Sequence, residues 1–147
     1  MKTIITISMF TGILASVYSL TSIASATRPD SDGFVIEQES DIAKPQSGPH
    51  KGGGETTGFP FFSDVPAMDL VFKKRILHPG SAIGYHEQHK DEIYYVVSGS
   101  GELTMNGEKS EVGPGTAILT RPGSSHGLRQ IGPEDLVIFI VYRKHTD

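Results

Sequence analysis

The sequence contains no cysteine. That absence excludes disulfides, thiolate metal sites, iron–sulfur clusters and cysteine nucleophiles. It also lacks a basic run: 13 Lys and Arg stand against 17 Asp and Glu, for a net charge of −4. Nucleic acid is therefore not the expected partner. There is no Gly-rich phosphate loop, no dinucleotide fingerprint and no Gly-x-Ser-x-Gly nucleophile turn. What remains is 147 residues, 37% of them hydrophobic, which is an ordinary globular mixture with room for one domain. Seventeen Gly and nine Pro call for many turns and oppose a helical bundle. Six His form the main reactive resource.

Residues 1–26 read as a cleaved signal peptide. Lys2 supplies the positive start, Ile4 to Leu20 is apolar apart from Ser, Thr and Gly, and Ala24-Ser25-Ala26 is a small-x-small cleavage site. The mature chain is then expected to begin at Thr27, to be secreted or periplasmic, and to have no membrane contact after cleavage. Residues 27–66 are rich in Asp, Ser, Gly and Pro, with Gly52-Gly53-Gly54 opposing any long element. They read as an extended N-terminal arm laid over the domain. Phe34-Val35-Ile36 could form one short strand within it, and Phe59, Phe61 and Phe62 could plug a barrel end. A sharper reading has the arm carrying His50 toward a pocket.

From residue 67 to 147 the pattern changes to short apolar runs between turn signals. Strands are expected at Leu70–Leu77, Ile83–Gln88, Ile93–Val97, Glu102–Met105, Lys109–Val112, Thr116–Thr120, Ser125–Gln130 and Leu136–Tyr142. Asn106-Gly107 between two of them is a strong hairpin signal. Strands at this spacing with no substantial helix mean an all-β sandwich or barrel.

His86, Gln88 and Glu92 cluster within this region, and His126 follows on a later strand. Side chains two apart on a strand share a face, so His86 and Gln88 can converge. Glu92, just past a polar turn, can face them from the paired strand. Imidazoles with one carboxylate and one amide oxygen suit a divalent transition metal (Mn, Fe, Co, Ni or Zn) and not a soft Cu(I) site. A buried carboxylate needs a cation or a proton, and a metal supplies the cation. The run His86-Glu87-Gln88-His89 is not a metalloprotease signature, which needs two His four apart on a helix.

The spacing resembles the cupin family. Its first motif is Gly, five residues, His-x-His, three or four residues, Glu, six residues, Gly. Here Gly80, His86, Gln88, Glu92 and Gly99 follow it, with Gln88 in place of the second His. Its second motif is Gly, five residues, Pro-x-Gly, two residues, His, three residues, Asn. Gly115, Gly123 and His126 fall in register, with Arg121 in the Pro slot, Pro122 one position later and Gln130 replacing Asn. The short spacing between motifs is similar to that of single-domain cupins of the phosphomannose-isomerase type.

The resemblance implies a cupin-type jelly-roll β-barrel holding one metal, with His86, Glu92 and His126 as ligands and Gln88 in the fourth place. His89 is the alternative fourth ligand, if a local bulge turns it inward. With Glu92 facing inward, Tyr94 and Val96 follow it, which places a phenol near the metal. Glu92 and Tyr94 are the candidate proton-handling groups. Arg121 and Arg129 could each grip a carboxylate at the barrel mouth, although solvated edge charge is the default for both. Lys73, Lys74 and Arg75 alternate faces, with a surface or subunit-edge role as the default. No chemistry is assigned to Tyr85, His78 or His145. The expected function is a metal-dependent enzyme for a small oxygenated substrate, of dioxygenase, lyase or isomerase type. The alternative is a non-catalytic barrel binding a sugar or other small ligand. Leu136–Tyr142 is apolar on both faces, which leads us to expect a homodimer.

Overall fold

The computed structural model describes residues 33–144, so the expected signal peptide and His145 lie outside the described residues. One short helix, α1 (Glu39–Ile42), precedes ten strands. These are β1 (Lys44–Ser47), β2 (Glu55–Phe61), β3 (Leu70–Leu77), β4 (Ala82–Glu87), β5 (Glu92–Ser98), β6 (Ser100–Met105), β7 (Glu108–Val112), β8 (Ala117–Thr120), β9 (Ser125–Ile131) and β10 (Leu136–Arg143). They form a six-stranded sheet in the order β1-β2-β3-β10-β5-β8 and a four-stranded sheet in the order β4-β9-β6-β7. Every pairing is antiparallel. The two sheets enclose one core as a jelly-roll barrel, the all-β architecture read from the sequence. Among the described residues no helix is long and apolar enough to cross a membrane.

The strands sit where period-two patterning and turn chemistry put them. Asn106 and Gly107 both have positive φ, at 50° and 87°. Such a pair matches the right-handed twist of the flanking β6 and β7 strands. Along β5, Glu92, Tyr94 and Val96 are buried while Ile93, Tyr95 and Val97 are exposed. β10 buries Leu136, Ile138 and Ile140 on the inner face. With Leu77, Val96 and Leu128 they form the centre of the core, and burying each such side chain contributes about 1.5–3 kcal/mol.

Within the expected arm, the described residues 33–66 are more than an extended cover. Residues 34–36 form no strand, whereas β1 and β2 extend the six-stranded sheet, with β2 paired to β3. β1 reads Lys-Pro-Gln-Ser and is exposed throughout. Nothing in its own composition marks it as a strand; its partner β2 imposes the extended form. The phenylalanines do not plug a barrel end. Phe59 is paired with Lys74 and lies beneath its ammonium, which stands 4.3 Å from the ring centroid. Phe61 packs on Phe72, which stacks on Phe139. These residues share the outer face of the sheet, because the inner positions of β2 and β3 are taken by Thr56, Arg75 and Leu77.

Candidate metal centre

Three donors meet inside the barrel from three strands. One ligand atom each from His86, Glu92 and His126 lies within 4.8 Å of the other two. The β4–β9 pairing shifts register between Ile83 and His86, which sets His86 directly opposite His126. A bulge of this kind re-aims a side chain without ending the strand. The two imidazole centroids are 4.7 Å apart. Glu92 enters from the other sheet at the start of β5, and its Oε2 stands 3.3 Å from His126 Nε2.

Each imidazole is held from behind. His86 Nδ1 lies 2.8 Å from the Gly84 carbonyl oxygen, which can only accept, so Nδ1 carries the proton and Nε2 keeps a free lone pair. His126 Nδ1 lies 2.8 Å from the buried Thr120 hydroxyl. Partners of this kind orient metal-binding imidazoles. His126 Nε2 and Glu92 Oε2 are buried with no hydrogen-bond partner, although they face each other. Two orphaned donors and a third lone pair aimed at one region fit a divalent cation of the borderline class.

Burial alone would raise the Glu92 carboxyl, but the His126 imidazole, Lys73 and Tyr94 outweigh it and hold the group below its ordinary value. Burial pushes the Tyr94 phenol well above its ordinary value, and the Glu92 carboxylate adds to that effect. Tyr94 is therefore a protonated phenol, with its ring 5.0 Å from that of His126.

The two candidates for a fourth ligand differ in burial. Gln88 is buried and two residues beyond His86, whereas His89 is exposed. The Gln88 backbone is tied on both sides to the β8–β9 turn, donating to Ser124 and accepting from Gly123. No bulge turns His89 inward. Gln130, in the Asn slot of the second motif, is a structural clamp. Its amide nitrogen donates to the carbonyls of Ile131, Gly132 and Glu134, and its oxygen accepts from Gly80 N.

Both arginines near the second motif are solvated edge charges. Arg121 is exposed and paired with Asp91. Arg129 is exposed between the inward Leu128 and Gln130, and lines an outer groove with Lys51, Glu102 and Lys109. The default for the basic triplet needs correction. Lys74 is on the outer face, paired with Glu39, but Arg75 is buried and Lys73 is half-buried on the inner face. Strand alternation with the fully buried Leu77 was the signal that could have found them.

His50 does reach the site. Its ring stacks on that of His86, with centroids 3.5 Å apart and planes 2° from parallel. The loop 48–54 that carries it is strapped across β4 by hydrogen bonds from Gly84 N to Pro49 O and from Ala82 N to Gly53 O. Burial lowers the His50 imidazole from its ordinary value, and His86 lowers it further.

Comparison with known proteins agrees with this geometry. The cupin domain profile matches residues 74–142. An oxalate-binding protein of Thermotoga maritima is 33% identical over 72 residues, 48% of this chain and 60% of that one. A 5-nitrosalicylic acid 1,2-dioxygenase of Bradyrhizobium is 26% identical over 68 residues, 46% of this chain and 33% of that one. The chain thus spans less than two thirds of the length of these curated relatives. The crystal structure of a predicted oxalate decarboxylase from Thermotoga maritima superposes with a TM-score of 0.68 at 27% identity. That superposition covers 75% of this chain and 99% of the other. Two facing antiparallel sheets, the two motifs in order and the matched profile make this chain a small member of the cupin superfamily.

Proposed function

We propose that the protein is a metal-dependent enzyme acting on a small oxygenated acid, with one divalent transition metal held by His86, Gln88, Glu92 and His126. The observation that carries this reading is the convergence of three donors, two of them buried and orphaned. The names of the two curated relatives each specify a carboxylic acid, which supports an acid as substrate. A divalent ion held by the donor residues would supply Lewis-acid chemistry to a substrate oxygen.

The chain's own groups divide the remaining work. Glu92, committed to the donor cluster, is a poor choice as mobile base. Tyr94 keeps its proton and can donate a hydrogen bond to a substrate oxygen. His50 covers one side of the His86 ring and excludes water from it. The test is metal analysis of the purified protein, followed by turnover and O₂ uptake on a panel of small carboxylic and hydroxy acids. Metal-dependent turnover supports the enzyme. Tight binding without turnover favours a non-catalytic ligand-binding barrel, a reading the name of the oxalate-binding relative supports. Protein that takes up no metal would sink both the metal site and the enzyme.

Two further expectations concern the whole molecule. We propose export with removal of residues 1–26, so the intact mass of the secreted protein should begin at Thr27. We also propose a homodimer formed through the outer face of the six-stranded sheet, where Ile93, Tyr95, Val97 and Leu119 are exposed together. Contiguous apolar surface of this kind marks an interaction site. Light scattering at micromolar concentration should give a dimer mass, and Tyr95→Lys with Leu119→Lys should give the monomer. A monomeric native protein would contradict the proposal.

A further inference from the structure

The inner face of β3 carries two cations that lack anionic partners among the described residues. Arg75 is 5% exposed, yet among the described residues it forms no salt bridge. Its Nη1 donates to the Thr56 hydroxyl at 2.8 Å, and the Gln46 side-chain oxygen, correctly oriented, accepts from both Nη atoms at 3.2 and 3.3 Å. These partners are neutral, and Nε has none. Lys73, two residues earlier on the same face of β3, is likewise absent from every ion pair among the described residues. Its Nζ lies 3.5 Å from the Tyr142 hydroxyl and 4.9 Å from that ring's centroid. Lys90 stands over the same ring at 4.6 Å. The rim of the site is thus basic as well as its wall.

Glu92 is the carboxylate whose field reaches Lys73. It cannot neutralise these cations once it is committed to a divalent ion. A metal ion, Lys73 and Arg75 against one carboxylate leave a surplus of positive charge in a partly enclosed barrel. Buried charge without a counter-ion is strongly unfavourable. An anionic ligand would supply the missing negative charge.

We propose that Lys73, backed by Arg75, is a receptor for a carboxylate of the ligand, which makes the ligand an oxo-, hydroxy- or dicarboxylic acid bound at two points. One oxygen function meets the His86–Glu92–His126 cluster, and the carboxylate meets the inner face of β3. Lys73 is the half-buried member and takes the direct contact. Arg75 is enclosed by Thr56 and Gln46 and acts as a positioning residue that supplies fixed charge. The inference rests on the metal-centre reading but uses residues outside the donor set, so the two can fail separately.

The experiment is calorimetric titration of malonate and of its neutral analogue malonamide into the metal-loaded full-length mature protein, with metal content measured on each sample. The wild type should prefer malonate by more than about tenfold, the scale of one charge-assisted hydrogen bond. Lys73→Met should lose most of that preference at full metal content and with unchanged thermal unfolding. Lys73→Arg, which keeps the charge, should retain it. Equal affinity of the wild type for both probes, or an undiminished malonate preference in Lys73→Met, would overturn the proposal. Should the wild type take up no metal, the metal-centre reading fails. The same titration on that protein still decides whether malonate binding depends on Lys73.

Discussion

His86→Ala is expected to yield a folded protein that no longer retains a transition metal. His86 is half-buried at the mouth of the cluster, so its removal empties no core position. What is lost is the imidazole whose Nδ1 is locked to Gly84 O and whose Nε2 faces the other donors. Loss of an outer orienting partner costs about 10–100-fold in metal affinity, and loss of a donor itself should exceed that. Two measurements check it. Metal content after dialysis should fall to background, and added metal should stop raising the unfolding temperature. In the wild type, metal at a hundred times its dissociation constant should add about 2.7 kcal/mol of stability. Gln88→Ala is the companion variant, with a smaller loss expected. Because His89 is exposed, a metal geometry untouched by Gln88→Ala would assign the fourth position to water. Full metal retention by His86→Ala would overturn the donor set.

Gly84→Ala is expected to dislodge the 48–54 strap. A Cβ at Gly84 would lie 2.0 Å from His50 O, and one at Gly52 would lie 1.9 Å from Ala82 O. Both obstacles are backbone atoms, so no rotamer change relieves them. Overpacking of this kind costs about 1–3 kcal/mol, and here it falls on the hydrogen bond from Gly84 N to Pro49 O. The denaturant midpoint should drop by a matching amount. The His50–His86 stack should open, and ligand affinity should change while metal content is kept. Gly113→Ala is the control. A Cβ there meets nothing within 4 Å, and the residue has no positive φ. A Gly84→Ala protein as stable as Gly113→Ala would show that the strap is not clamped against β4.

Most of the barrel was legible because turn residues and β-branched runs mark the same boundaries. β3 was read to its observed ends, and β5 showed its inward set through strict alternation from Glu92. The donor set was legible through spacing, since His86, Glu92 and His126 keep the intervals that a two-motif barrel needs. β1 was not, because an exposed edge strand of Lys, Pro, Gln and Ser has no pattern of its own and takes its form from β2. The inward cations were misread because charge normally signals solvent, and only their phase relative to Leu77 says otherwise. The stack of His50 on His86 depends on positive φ at His50 and Lys51, at 52° and 61°, which no local composition announces for non-glycine residues.

The profile match begins at residue 74, so His50 and Lys73 both precede it, while all the proposed donors lie inside it. The strap, Lys73 and Arg75 all come before the first proposed donor in the chain, so ion capture and guest choice would draw largely on separate strands. Transplanting residues 44–77, through the end of β3, onto another small cupin should carry a taste for acids across, with the recipient's own metal left undisturbed.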